Sequence, residues 1–276
     1  GFPLIGKNDR DFSTHWKNCF HPMETSGFTL VELLVTLAGV ALLAAVAAGI
    51  YPAALQAAQA ASCRSNLRQL AAANHAYALD HGRFVAAASD MDGNNRMRWH
   101  GMRRGSSFDA ADGPLTPYLG GKASSEGLRR CPAFRPKENG FEASCGGYGY
   151  NAVGIGSVEY CPHDNEGAAE GRFKTVGIRP ALLKHPASTL MFSDAAFLQG
   201  SGSKAVLTEY SFCEPPRRPD GTRPWPSIHF RHRGCANVVW ADGHAGSEPR
   251  TQTGAKGAAE GLGWFGPDDD SLFSPF

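Results

Sequence analysis

An apolar segment from Phe28 to Ile50 constrains the fold of this chain more than any other feature of its sequence. It reads FTLVELLVTLAGVALLAAVAAGI, and Glu32 is its single charged residue. About 20 consecutive apolar residues in a helix span the hydrocarbon core of a bilayer. Because a helix satisfies its backbone hydrogen bonds internally, such a segment is stable in lipid or in an equally apolar helical bundle. We therefore expect residues 28–51 to form a transmembrane or assembly helix.

The start of this segment carries a possible processing signal. A carboxylate inside a membrane helix is costly and normally has a partner, so Glu32 calls for an explanation. The stretch G-F-T-L-V-E-L-L-V from Gly27 resembles the prepilin signal of type IV pilins and type II secretion pseudopilins. The resemblance implies cleavage after Gly27, N-methylation of Phe28, and a pairing of Glu32 with the Phe28 amine of a neighbouring subunit. The alternatives are a plain membrane anchor and a secretory signal peptide, which has a shorter apolar core and is cut after it.

Length and composition limit the number of domains and the kinds of partner this chain can have. The chain has 276 residues, enough for one domain of ordinary size plus the helix. The net charge of +1 does not suggest nucleic acid as a partner, and the 33 Gly and 18 Pro predict a loop-rich soluble part. We expect residues 1–27 to be a leader or extension, with Met23 as an alternative start.

The seven cysteines leave the disulfide pattern open. Cleavage after Gly27 would remove Cys19 and leave six. Six cysteines allow fifteen connectivities, and sequence distance permits both Cys131–Cys145 and Cys145–Cys161.

The apolar segment is followed by a second helical pattern. Pro52 would kink or interrupt a helix. Apolar residues at spacings of three and four then continue the pattern from Ala53 to Leu79. This pattern predicts an amphipathic helix over residues 52–82. Such a helix must bury its apolar face, most simply on a sheet. We expect an α+β fold in which this helix packs on a small antiparallel sheet, with a pilin-like head at 83–247. The Gly-rich residues 248–276 predict a loosely ordered tail.

A second motif lies near the C-terminus. His232 is followed by nine residues and then Asp242-Gly243, a tight-turn dipeptide, after an alternating strand pattern at 235–241. Beside the N-terminal motif, this H-x9-DG element resembles a bacterial pilin-like family. The likeness extends to Cys131-Pro132, to Y-G-Y-N at 148–151, and to the predicted strand that ends at Asp194.

Several side chains in this region suggest a metal site. His229, His232, Asp242 and His244, joined by Asp194 if the strands are neighbours, are ligand types that suit zinc or iron. The competing interpretation is that Asp242 bonds its own turn and His232 is structural. We favour the structural interpretation and expect no metal, no cofactor and no catalytic residues, since no known catalytic motif is present.

The resemblance implies a non-enzymatic structural subunit of a filament. Its expected partners are a prepilin peptidase, copies of itself, other pilin-like subunits and the inner membrane, with no nucleic acid. The head would lie outside the cytoplasm. The alternatives are a membrane-anchored extracytoplasmic binding protein or enzyme, and a minor tip or adaptor subunit of the same machine.

Overall fold

The structure is a computed structural model that describes residues 27–91, 93–121, 130–136, 140–157, 159, 176–254 and 256–276. Residues 1–26 of the expected leader, with Cys19 and Met23, lie outside these residues, as does Cys161. The chain divides into two compact units, Gly1–Tyr51 and Pro52–Phe276. This division coincides with the predicted boundary between residues 28–51 and 52–82.

A single long helix, α1, runs from Leu30 to His81. It is continuous across Pro52, so of the two expected effects of this proline, a kink or an interruption, the interruption is not seen. Gly82, with a φ of 70°, ends the helix in the left-handed conformation that glycine adopts most easily. The helix thus ends at His81, one residue before the end of the predicted segment 52–82.

The part of α1 that belongs to the second unit buries one face. Its buried residues recur at the spacing of one helical stripe: Cys63, Leu67, Leu70, Ala71, Ala73, Asn74 and Ala78. The apolar members share one core with Tyr148, Tyr150 and Phe192 of the sheet described below. The predicted packing of this helix on a sheet is confirmed.

The described residues contain twelve short strands. They are β1 (Met97–Arg98), β2 (Gly101–Arg104), β3 (Ser107–Asp109), β4 (Tyr148–Asn151), β5 (Leu190–Asp194), β6 (Phe197–Gln199), β7 (Val206–Thr208), β8 (Phe212–Cys213), β9 (Ile228–His229), β10 (Cys235–Trp240), β11 (Ala245–Pro249) and β12 (Leu262–Gly263).

The main sheet has five strands in the order β11-β10-β5-β4-β8. All its pairs are antiparallel except β4 and β8, which run parallel, so the expected antiparallel sheet is in fact mixed. Every residue of β5 is buried, because this central strand is covered on both faces. Smaller two- and three-stranded sheets flank it, and the coarse α+β layout is as expected.

The β10–β11 hairpin follows the sequence-based prediction. Cys235 pairs with Pro249 and Val239 with Ala245, and the turn between the strands contains Asp242 and Gly243. Gly243 has a φ of 92°, which only glycine adopts without strain. Because β10 also pairs with β5, the hairpin is part of the main sheet.

Two other regions differ from expectation. The stretch 200–228 is rich in Gly, Pro and Arg, a composition typical of a loop, but it includes β7, β8 and the start of β9. The C-terminal segment, expected to be loosely held, is packed, since Trp264, Phe265 and Phe273 are buried in a second hydrophobic cluster with Trp240. Large aromatic side chains bury enough apolar surface to order a Gly-rich segment.

Candidate functional site

The first candidate site is the apolar surface of residues 28–51, described within its own unit. None of the apolar window of α1 is buried, and the segment is long and apolar enough to cross a membrane. Exposed fractions reach 79% for Phe28 and 71% for Leu43. Monomeric soluble proteins rarely expose contiguous apolar patches of this extent, and such patches are typical of surfaces that contact lipid or another protein.

Glu32 caps the start of α1 together with Thr29. Its Oε2 accepts hydrogen bonds from Thr29 N at 2.9 Å and from Thr29 Oγ1 at 2.8 Å, while Glu32 N donates to Thr29 Oγ1 at 3.2 Å. This is the reciprocal capping box of the T-x-x-E pattern, which satisfies otherwise unpaired N–H groups at a helix start. Gly27 and Phe28 precede the cap and are exposed.

The second candidate site lies in the second unit. Four potential metal-ligating side chains converge there, and their ligand atoms all lie within 4.8 Å of one another. All four residues are buried. We call them the buried cluster: Cys63, Cys131, Asp194 and His232.

Each member of the buried cluster comes from a different part of the fold. Cys63 lies on the buried face of α1, and Asp194 is the last residue of β5. Cys131 is held by its N–H, which donates to Gly146 O at 2.9 Å. His232 precedes β10 and exchanges two backbone hydrogen bonds with Cys235.

The contacts within the buried cluster centre on the carboxylate. The Cys63 thiol donates to Asp194 Oδ1 at 3.1 Å. His232 Nε2 lies 3.3 Å from Asp194 Oδ2 and 3.5 Å from Cys131 Sγ. Asp194 therefore joins His232, as the sequence analysis allowed if the strands were neighbours.

Arg231 supplies a buried positive charge beside the buried cluster. Its Nη2 donates to Asp194 Oδ1 at 2.7 Å, and the two side chains are 5% and 0% exposed. Its Nη1 donates to Ala195 O at 3.2 Å, and its guanidinium carbon lies 4.6 Å from the Phe134 ring centroid. A buried arginine with this many partners is fixed in place and can balance buried anions.

Burial and the neighbouring charges shift the pKa values of the Cys63 and Cys131 thiols in opposite directions. Burial raises the pKa of the Cys63 thiol. The neighbouring Cys63 thiol and the charge of Arg231 lower the pKa of Cys131, although burial opposes them. Burial raises the pKa of Asp194, against the opposing effect of Arg231. The Cys63 thiol donates its proton to the Asp194 carboxylate, and the Cys131 sulfur lies within 4.8 Å of the Cys63 sulfur.

The other side chains considered for a metal site have separate partners. Asp242 Oδ1 accepts from His244 N at 3.0 Å and lies 2.6 Å from His244 Nδ1. The expectation that Asp242 bonds its own turn is confirmed. His229 Nδ1 contacts Arg231 Nη1 at 3.0 Å, and burial lowers the pKa of His229 to about 3. Neither Asp242 nor His244 belongs to the buried cluster.

The two cysteines of the buried cluster were not assigned to a metal site from sequence. Cys63 lies 131 residues before Asp194, and no ligand-like spacing connects them. Cys131 and Cys145, considered as a disulfide pair, are both free thiols in the structure. Tyr148, Tyr150 and Trp240 are buried and belong to the hydrophobic core.

A cleft of about 530 Å³ also lies in the second unit. Its wall includes the buried ion pair of Arg98 and Glu142, whose closest N–O distance is 3.0 Å, together with Phe141, Tyr210 and Phe212. The lining is mostly apolar, which is typical of sites for small ligands.

Comparison with known proteins gives no relative from which a role could be carried over. A scan against protein-family models, a search of curated proteins and a search of solved structures each returned no match.

Proposed function

We propose that this protein is a membrane-anchored, non-catalytic structural subunit of a pilin-like filament, either a type IV pilus or a type II secretion pseudopilus. The observation that carries the proposal is the fully exposed apolar surface of α1 in the first unit, interrupted by one carboxylate at its start. Such a surface is stable in the bilayer before assembly and in the core of a helical bundle after it.

The processing signal supports the same role. Gly27 and Phe28 lie outside α1 and are exposed, so the bond between them is accessible to a peptidase. Cleavage there would place a new amine on Phe28, close in sequence to Glu32. In a filament, that amine and the Glu32 carboxylate of a neighbouring copy would neutralise each other, which fixes the axial stagger because an unpaired charge in an apolar bundle is costly.

The second unit fits the globular head of such a subunit. A helix packed on a small sheet, with the H-x9-DG hairpin as part of that sheet, is the layout that the resemblance implies. In this proposal the head lies outside the cytoplasm, the anchor lies in the inner membrane, and the partners are a prepilin peptidase, further copies and other pilin-like subunits.

The Glu32 carboxylate provides the test, because its helix-capping role can be separated from its charge. Glu32→Gln keeps a side chain that completes a capping box but loses the charge. Glu32→Leu loses both and removes a membrane-insertion cost of about 2–3 kcal/mol. Thr29→Ala removes the partner of the cap and keeps the charge.

We expect all three variants to insert into the membrane, and filament incorporation to fall in Glu32→Gln and Glu32→Leu but not in Thr29→Ala. Incorporation is measured by shearing filaments from cells and quantifying the subunit in the sheared fraction. Normal incorporation of Glu32→Gln would show that the charge of Glu32 is not needed for assembly and that Glu32 acts only as a helix cap.

The cleft beside Arg98 favours a second candidate function, a membrane-anchored binding protein. That function predicts dispersed, unassembled copies in the membrane under conditions in which the secretion or pilus machinery of the cell is active. Recovery of the protein in sheared filaments would exclude it.

A further inference from the structure

We propose that the buried cluster is a structural site for one zinc(II) ion, held by two thiolates, one imidazole nitrogen and one carboxylate oxygen. This proposal replaces our sequence-based expectation of no metal and is independent of the membrane role of residues 28–51. It rests on the identity, spacing, burial and charge of the side chains in the second unit.

The spacing of the ligand atoms fits a tetrahedral ion. Zinc bonds of about 2.3 Å to sulfur and about 2.0–2.2 Å to nitrogen and oxygen place tetrahedral ligand atoms roughly 3.3–3.8 Å apart. The Cys63–Asp194, His232–Asp194 and Cys131–His232 contacts measure 3.1, 3.3 and 3.5 Å. The first two contacts involve different oxygens of Asp194, and the four ligand atoms all lie within 4.8 Å of one another. Coordination through one carboxylate oxygen therefore needs side-chain movements of no more than about 1 Å.

The charges of the site balance with zinc bound. Two thiolates and the Asp194 carboxylate supply three negative charges, and His232 coordinates as a neutral ring. The ion and the buried Arg231 guanidinium supply three positive charges. Arg231 thus has a role that a thiol pair alone would not require, because it compensates the third anion of a buried site.

Hydrogen bonds around the buried cluster already orient its ligands. Asp194 Oδ1 is held by Arg231 at 2.7 Å, and Asp194 Oδ2 accepts from Asn237 N at 2.7 Å. The backbone of His232 is fixed by its bridge to Cys235. Contacts of this kind set the direction of ligand side chains in metal sites. Binding of zinc would release the Cys63 proton and replace the contact of His232 with Asp194.

A zinc ion held by four buried protein ligands is typical of a structural site and not of a catalytic one. No coordination position remains for water or substrate. The ion would connect α1, the segment at Cys131, the end of β5 and the segment before β10. These are parts of the second unit that are distant in sequence, so zinc would stabilise its tertiary arrangement.

A Cys63–Cys131 disulfide is the competing use of the two sulfurs. It would use neither Asp194 nor His232, although both are potential metal ligands that lie beside the two sulfurs. It would also remove the thiol that donates to Asp194. The convergence of all four side chains therefore favours the metal.

The test uses the full-length protein, purified in detergent from metal-replete cells without chelator. Metal content is measured by inductively coupled plasma mass spectrometry for wild type and for Cys63→Ser, Cys131→Ser and His232→Gln. Cys213→Ser is the matched control, since Cys213 is also a buried free thiol but lies outside the buried cluster. Cobalt(II) substitution of the wild type adds a measurement that does not depend on whether a variant folds.

We expect one zinc per chain in wild type and in Cys213→Ser, and at least a tenfold lower content in the three cluster variants. Cobalt should give the thiolate charge-transfer and d–d absorption of a tetrahedral sulfur-ligated ion, and chelator should lower the melting temperature of the wild type. Metal-free wild type, equal zinc in a cluster variant and Cys213→Ser, or a Cys63–Cys131 disulfide found by non-reducing peptide mapping would each overturn the proposal.

Discussion

Asp194 Oδ1 accepts a hydrogen bond from Arg231 Nη2 at 2.7 Å, and both side chains are buried. Asp194 also receives the Asn237 N–H and the Cys63 thiol. The carboxylate of Asp194 therefore connects β5, β10, the segment at Arg231 and α1. Each of these parts of the chain belongs to the second unit.

Asp194→Asn should destabilise the second unit strongly. The change leaves the Arg231 charge buried without its partner, and breaking a buried ion pair in this way costs about 3–5 kcal/mol. Urea unfolding followed by tryptophan fluorescence measures the loss. Asp242→Asn is the control, because that carboxylate is exposed and should change the unfolding free energy by no more than about 1 kcal/mol. Equal losses in the two variants would contradict the central position of Asp194.

A double-mutant cycle tests the same pair. Arg231→Met should also destabilise, and the double variant should lose less than the sum of the two single losses, because each single change leaves one buried charge unpaired. Additive losses would show that the two side chains do not interact energetically.

Glu142 should make the second unit sensitive to acid. Burial alone would raise the pKa of its carboxyl, but His100, whose Nε2 lies 3.8 Å from Glu142 Oε2, and the charge of Arg98 outweigh burial and lower it to about 2. Because the folded-state pKa lies below the unfolded value of 4.5, this stabilisation is present above pH 4.5 and is lost as pH falls from 4.5 to about 2. The shift corresponds to about 3 kcal/mol.

Glu142→Gln should therefore be less stable than wild type at pH 7, and the difference should shrink as pH approaches 2. Denaturant unfolding at several pH values measures it. A difference that stays constant between pH 7 and pH 2 would mean that ionised Glu142 does not contribute the stability assigned to it.

Gly243→Val should destabilise the β10–β11 hairpin by more than about 1 kcal/mol. A Cβ at this position would meet no atom within 4 Å, so the loss comes from the backbone φ of 92° and not from a clash. Gly243→Asn should lose less, because asparagine tolerates positive φ better than a β-branched residue. Thermal unfolding compares the two variants, and an equal melting temperature for Gly243→Val and wild type would argue against the turn geometry.

Features formed by residues close in sequence were predictable from the sequence. The buried cluster, formed by residues distant in sequence, was not. The hairpin follows from strand alternation and the Asp242-Gly243 turn, and the buried stripe of α1 follows from its spacing of apolar residues. The capping box was readable as T-x-x-E at Thr29 and Glu32. These signals lie within a few residues of each other, so they need no knowledge of tertiary structure.

The buried cluster depends on contacts distant in sequence. Cys63 reads as one more small residue of an Ala-rich helix, and only the packing of α1 on the sheet brings it to Asp194. His232 was recognised as a candidate ligand, but its partner is Asp194 rather than Asp242. The packed tail was missed because its Gly-rich composition obscures the three anchoring aromatics, Trp264, Phe265 and Phe273.

The proposed role of the protein is tested most directly by the mass of its mature N-terminus. The protein is extracted from membranes of its native host, or of a host that carries a prepilin peptidase, and its N-terminal peptide is sequenced by tandem mass spectrometry. The account predicts a chain that begins at Phe28 with a methylated amine. An uncleaved segment before Phe28, or a cut after the apolar run near Gly49, would contradict it.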